Sequence, residues 1–86
     1  MSQPDEIREF VYREYIEPAR KKGLTEITIR AGDVHDKMGL ANRMPAVIGA
    51  IETNIFKKKY ELTEIRRNGS ANGPNVYFII LLTRAD

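Results

Sequence analysis

Residues 31–51 read AGDVHDKMGLANRMPAVIGAI and contain two short apolar patterns with helical spacing. In the first pattern, which spans residues 31–38, Val34 and Met38 lie four positions apart and therefore share one face of a helix. Gly39 follows directly, and glycine is a residue type that commonly ends a helix. We therefore predict a short helix over residues 31–38.

The second pattern predicts another helix that begins near Asn42. Asparagine is a favourable N-cap, and Pro45 falls in the first turn, where a missing N–H is not needed. The apolar residues that follow keep the helical period and are Val47, Ile48, Ile51 and Ile55. Because only residues 39–42 connect the two helices, and the connection contains glycine, the pair is typical of a helix-turn-helix.

The sequence on the N-terminal side predicts a helix followed by a strand. Apolar residues recur at helical spacing over residues 5–22, where Pro18 should cause a kink near Tyr15 or start a fresh turn. Residues 25–30 alternate between apolar and polar side chains, as in a short strand with one exposed face.

The sequence on the C-terminal side predicts a β-hairpin. Residues 60–67 are strand-like, residues 68–74 (NGSANGP) are rich in turn formers, and residues 75–82 form an apolar strand. Between Val76 and Leu82 the residues do not alternate, so both faces of this strand need cover. Either the first helix or a second copy of the chain could supply it, and a homodimer through this strand is one hypothesis.

The order helix, strand, helix, helix, strand, strand contains no repeat and no linker, which predicts one α+β domain over residues 1–86. The absence of cysteine excludes disulfides and thiolate zinc sites. The single histidine, His35, lies beside Asp33 and Asp36, but neighbouring positions on a helix point in different directions and do not converge on a metal. No serine or threonine has a plausible base partner other than this same histidine, so we expect no enzyme activity, metal or cofactor.

The first six residues are polar and acidic, unlike a secretory signal, and no apolar segment is long enough to span a bilayer. A cytoplasmic location is therefore expected. The net charge is only +2, but residues 41–86 carry seven Lys/Arg against four Asp/Glu, whereas residues 1–40 carry seven against eight. This asymmetry favours a polyanionic partner for the second half of the chain.

Two groups of residues in that half are candidates for contacts with a nucleic acid. Asn42, Arg43 and Ala46 lie at the start of the third predicted helix, whose outer face would show small residues up to Thr53. The basic candidates are Lys57 and Lys58, which directly follow this helix, and Arg66 and Arg67, which lie on the hairpin just before its loop, with Asn68 beside them. Contact with about six phosphates would lower affinity about a thousandfold between 50 and 200 mM salt.

The element order matches that of the winged helix-turn-helix family, and residues 32–47, GDVHDKMGLANRMPAV, resemble small uncharacterised prokaryotic domains of that fold. The resemblance implies three helices with a small three-stranded antiparallel sheet, and duplex DNA as the partner. It also implies that residues 42–53 are the recognition helix and residues 66–73 the wing. The alternative is a protein-interaction or dimerisation module with the same fold, in which the small-residue face packs internally or against a partner.

Overall fold

The chain begins with a helical stretch that contains a π-helical turn. The computed structural model describes residues 2–69 and 72–82. In chain order the parts of the stretch are α1 (Gln3–Val11), the π turn (Tyr12–Ile16) and α2 (Glu17–Lys21). Pro18 cannot donate to the helical ladder, and in the turn before it the N–H of Glu17 donates to the carbonyl of Tyr12, five residues back. The irregularity predicted near Tyr15 is therefore a π turn within a continuing helix.

The middle of the chain forms three short helices. They are α3 (Ala31–Lys37), α4 (Met44–Ile51) and α5 (Asn54–Lys59). The helix predicted over residues 31–38 is confirmed as α3. The prediction that Asn42 caps the next helix is wrong, because Asn42 has a φ of 54° and lies in the connecting turn, whereas Arg43 is the N-cap of α4.

A break separates α4 from α5 because Thr53 starts a new helix. Its backbone is extended, and its Oγ1 accepts a hydrogen bond from the N–H of Phe56 at 3.3 Å. The prediction that Ile55 continues the buried face of α4 is wrong, since the break leaves Ile55 61% exposed. Phe56 occupies the core position instead and is fully buried.

Three strands form an antiparallel sheet in the order β1-β3-β2. They are β1 (Glu26–Arg30), β2 (Glu64–Asn68) and β3 (Tyr77–Leu81). The predicted hairpin is confirmed as β2 and β3, although β2 begins later than expected. Tyr60 stacks on Tyr12, with ring centroids 4.4 Å apart, and Glu61 has a φ of 55°, so the chain turns before the strand starts. Residues 70 and 71 of the predicted loop lie outside the described residues.

The helices pack against one face of the sheet. Ile29, Phe78 and Ile80 on this inner face are buried in a core that also contains the apolar side of every α-helical segment. On the outer face, Tyr77 is 39% exposed and Ile79 is half-buried. The chain is therefore an α+β domain with a three-stranded antiparallel sheet.

The predicted count of three helices is wrong. The described residues contain five α-helical segments and the π turn, because Pro18 and Thr53 each interrupt a predicted helix. Within the described part of the chain, every helix is too short or too polar to cross a membrane.

Candidate nucleic-acid interface

α4 is the element that the sequence singled out for contact with a partner, and most of it is buried. The buried residues of α4 are Val47, Ile48, Ala50 and Ile51. Its exposed positions are Pro45 and Gly49, and they are followed by Glu52, the exposed C-cap. Since these three positions are spaced by four and three residues, they form a single narrow stripe along the helix. We call this the α4 stripe.

The small-residue face predicted for this helix is only partly exposed to solvent. Ala46 is half-buried, and Ala50 is 2% exposed because its side of α4 packs against α1. The side chain of Thr53 caps α5. Gly49, in contrast, has no atom within 4 Å of the place where a Cβ would stand, so solvent reaches the backbone of α4 there.

Arg43 lies at the N-terminal end of the α4 stripe. The residue is exposed, and its backbone N–H donates to Nε2 of His35 at 3.2 Å. Nδ1 of His35 lies 3.6 Å from the carboxylate of Asp36. From the sequence alone, His35 could be considered as a metal ligand or as a base, but in the structure its Nε2 accepts a hydrogen bond from the N-cap residue of α4 and so holds the turn that presents Arg43.

Lys57 and Lys58 lie at the opposite end of the stripe. Lys57 is half-buried and lines a cleft that also contains Glu52, the C-cap of α4. Lys58 is exposed on the next position of α5. Lys59 differs from both, because its ammonium lies 5.5 Å from the centre of the Tyr60 ring. Its charge also adds to the hydrogen bond from Ser2 in lowering the pKa of Asp5.

Arg66 and Arg67 project from opposite faces of β2, as consecutive residues of a strand must. The side chain of Arg66 lies on the outer face and bonds to Glu64, and this carboxylate raises the pKa of Arg66 above its ordinary value. Arg67 lies on the inner face, where its guanidinium pairs with Glu52 at 2.7 Å. It also donates to the carbonyl of Gly69 at 2.8 Å.

Asn68 is exposed on the outer face of the sheet, in the same row as Tyr77. The structure therefore divides the predicted site. Arg43 and Ala46 lie at one end of α4, Lys57 and Arg67 meet in the cleft at its other end, and Arg66 and Asn68 belong to the outer sheet face.

The cleft at the C-terminal end of α4 has a volume of about 280 Å³. Its lining is mixed in charge and consists of Glu52, Thr53, Asn54, Lys57, Glu64, Ile65, Arg67 and Phe78. Asn54, which the sequence reasoning missed, enters this lining because Thr53 begins α5. No clear signal for it is present in the sequence, since residue 56 is Phe and not the Glu or Gln of a capping box. Among the described residues, no three side chains of the metal-binding types converge on one point.

The cations of the predicted site differ in whether a carboxylate neutralises them. Arg66 and Arg67 each have an acidic partner, as described above. Within residues 2–69 and 72–82, no ion pair within 4.0 Å involves Arg43, Lys57 or Lys58. These three positive charges flank the two ends of the α4 stripe and are available to a partner.

Comparisons of the chain with models of known protein families, with curated proteins and with solved structures found no match.

Proposed function

We propose that this chain is a non-catalytic module that binds nucleic acid, with duplex DNA as its partner, and that it does so through the α4 stripe. The observation that carries the proposal is a set of three cations at the two ends of the stripe, Arg43, Lys57 and Lys58, that have no carboxylate partner among the described residues. A polyanion gains most from such charges, because no internal ion pair has to be broken first.

The shape of the stripe supports the same partner. α4 is eight residues long, which corresponds to about 12 Å of helix. Within α4 only Pro45 and Gly49 are exposed, so the long side chain on the stripe is that of Glu52, whose carboxylate is paired with Arg67. The lack of other long polar side chains limits reading of base edges, and we propose binding that depends mainly on phosphates.

The structure changes the expected salt dependence. If Arg66 and Arg67 remain paired with Glu64 and Glu52, three cations contact phosphates, and raising the salt from 50 to 200 mM should weaken binding about 40-fold. If both glutamates gave up their arginine partners, five cations would contact phosphates and the loss would be about 500-fold, still below the loss expected from six phosphates.

The first experiment compares two charge reversals of equal size. In the test variant Lys57 and Lys58 become Glu, and in the matched control Lys21 and Lys22, exposed at the end of the first helical stretch, become Glu. Fluorescence anisotropy with a labelled random duplex at 50 mM salt should show a loss of at least about tenfold for the test variant and a much smaller loss for the control. Equal losses, or affinity that does not change with salt, would contradict the proposal.

Lysines are chosen for this test because Arg67→Glu would confuse folding with binding. It would place a carboxylate against Glu52 and leave the carbonyl of Gly69 without this donor. A loss of binding in that variant could then come from a damaged hairpin.

A second candidate function, contact with another protein molecule, is favoured by the outer face of the sheet. Its central strand exposes Tyr77 and leaves Ile79 and Leu81 half-buried. If this face carries the function and the α4 stripe does not, Ile79→Lys should abolish activity in the cell while the Lys57 and Lys58 variant retains it. The reverse result would leave nucleic-acid binding as the function.

A further inference from the structure

The outer face of the sheet carries an apolar row along its middle. The row consists of Tyr77, Ile79 and Leu81 of β3, the central strand. Tyr77 is 39% exposed, so the described helices do not cover this end of the row. A sheet with one wet face normally alternates between apolar and polar residues, and β3 does not.

The edge strands place charges along this row in a definite order. At the Leu81 end, the register puts Glu26 of β1 on one side and Glu64 of β2 on the other. At the Tyr77 end it puts Arg30 and Asn68. In the middle, Ile79 lies between Thr28 and Arg66. The face therefore has an acidic end, a basic portion and no net charge, since two glutamates balance two arginines.

We propose that the outer face binds the outer face of a second copy of this chain, with the two β3 strands stacked antiparallel. In this arrangement the acidic end of one copy lies over the basic end of the other, and Glu26 faces Arg30 of the second copy. Ile79 lies near the two-fold axis and meets Ile79. Stacking the β3 strands parallel would instead place Arg30 over Asn68 and Glu26 over Glu64, so the two Glu26–Arg30 pairs of the antiparallel form would be absent.

The remaining charges are compatible with this arrangement. Arg66 lies in the middle of the face and would lie opposite Arg66 of the second copy. Each Arg66 is already paired with Glu64, and this carboxylate neutralises its charge. Arg30 is held by Asp33 at 2.9 Å and keeps a 30% exposed side chain, so it can approach a second carboxylate. The self-complementary order of charges is the reason for preferring a second copy to an unrelated protein.

The size of the face sets the strength of the dimer. Three strands of five residues cover about 17 Å by 14 Å. This is small beside the roughly 800 Å² that each partner buries in a standard interface. We therefore expect a reversible dimer with a dissociation constant on the order of 100 µM. The inference goes beyond nucleic-acid binding and does not depend on it, because the α4 stripe lies on the helical side of the sheet.

The first test is sedimentation equilibrium at protein concentrations from about 10 to 500 µM. The native chain should shift from the monomer toward twice the monomer mass, and Ile79→Lys should remain a monomer throughout. Ile55→Lys is the matched control, since Ile55 is an equally apolar exposed residue on α5, and it should dimerise like the native chain. A native chain that stays monomeric at 500 µM would overturn the proposal, as would loss of dimer in both variants.

A second test keeps the proposal falsifiable if Ile79→Lys does not fold. The chain has no cysteine, so Thr28→Cys introduces a single thiol. In the antiparallel dimer residue 28 faces residue 28 of the second copy, and a short bis-maleimide should link the two chains. Asn54→Cys, on the helical side, is the control and should give no more linked dimer than chance collisions do. Equal linking of the two variants would contradict the arrangement.

Discussion

Arg8 connects the first helix to the end of α4. Its side chain is only 9% exposed, and its Nε donates to the carbonyl of Ala50 at 2.9 Å. A second nitrogen of the same guanidinium pairs with Asp5 at 3.0 Å. The last four carbonyls of a helix lack partners within the helix, and Arg8 supplies one of these missing bonds from 42 residues away. One side chain thus fixes the position of α4 relative to α1.

Replacing Arg8 by Ala should destabilise the domain by about 2 kcal/mol, because a buried carbonyl loses a charged donor and the aliphatic stem leaves the core. Arg13→Ala is the control, since Arg13 is 61% exposed and its nitrogen lies 3.8 Å from Glu9. The control should change the free energy of unfolding by less than about 0.5 kcal/mol. Urea unfolding measures both values, and equal values would show that the contact to Ala50 contributes nothing.

Several elements could be predicted from the sequence because the information that defines them is local. β1, α3 and the hairpin follow from alternation, helical spacing and turn residues. The end of α4 could not be predicted in the same way, because Ile51 and Ile55 have helical spacing and suggest a single helix. Only the capping bond of Thr53 and the burial of Phe56 show that a new helix starts there.

Replacing a glycine by alanine should have opposite effects on stability in α3 and in α4. A Cβ on Gly32 would lie 2.9 Å from the carbonyl oxygen of Pro74, whereas a Cβ on Gly49 would meet nothing within 4 Å. Gly32→Ala should therefore destabilise the domain by about 1 to 3 kcal/mol, because α3 must move away from residue 74. Gly49→Ala should stabilise it by up to about 1 kcal/mol.

Thermal unfolding of the two alanine variants tests these expectations together. The midpoint should fall for Gly32→Ala and rise or stay unchanged for Gly49→Ala. If both variants lost stability equally, the difference in local packing between α3 and α4 would be disproved.

Across the whole molecule, the residue types of the candidate site could be predicted from the sequence, but the ion pairs that its arginines form could not. The sequence showed that Arg66 and Arg67 are close to each other and to Lys57 along the chain. It could not show that Arg67 pairs with Glu52, fifteen residues away, or which of the two arginines lies on the inner face of the sheet. The folded chain thereby reduces five candidate cations to three available ones, and these mark the ends of the α4 stripe.

The proposal that nucleic acid contacts the α4 stripe can be tested by an NMR titration of the labelled chain with a random DNA duplex at 50 mM salt. Amide shifts should concentrate at Arg43, Gly49, Lys57 and Lys58, and they should diminish at 200 mM salt. The amide signals of β1 and of the outer face of β3 should stay in place. Absence of any shift, or shifts confined to the sheet while α4 and α5 remain unchanged, would contradict the proposal.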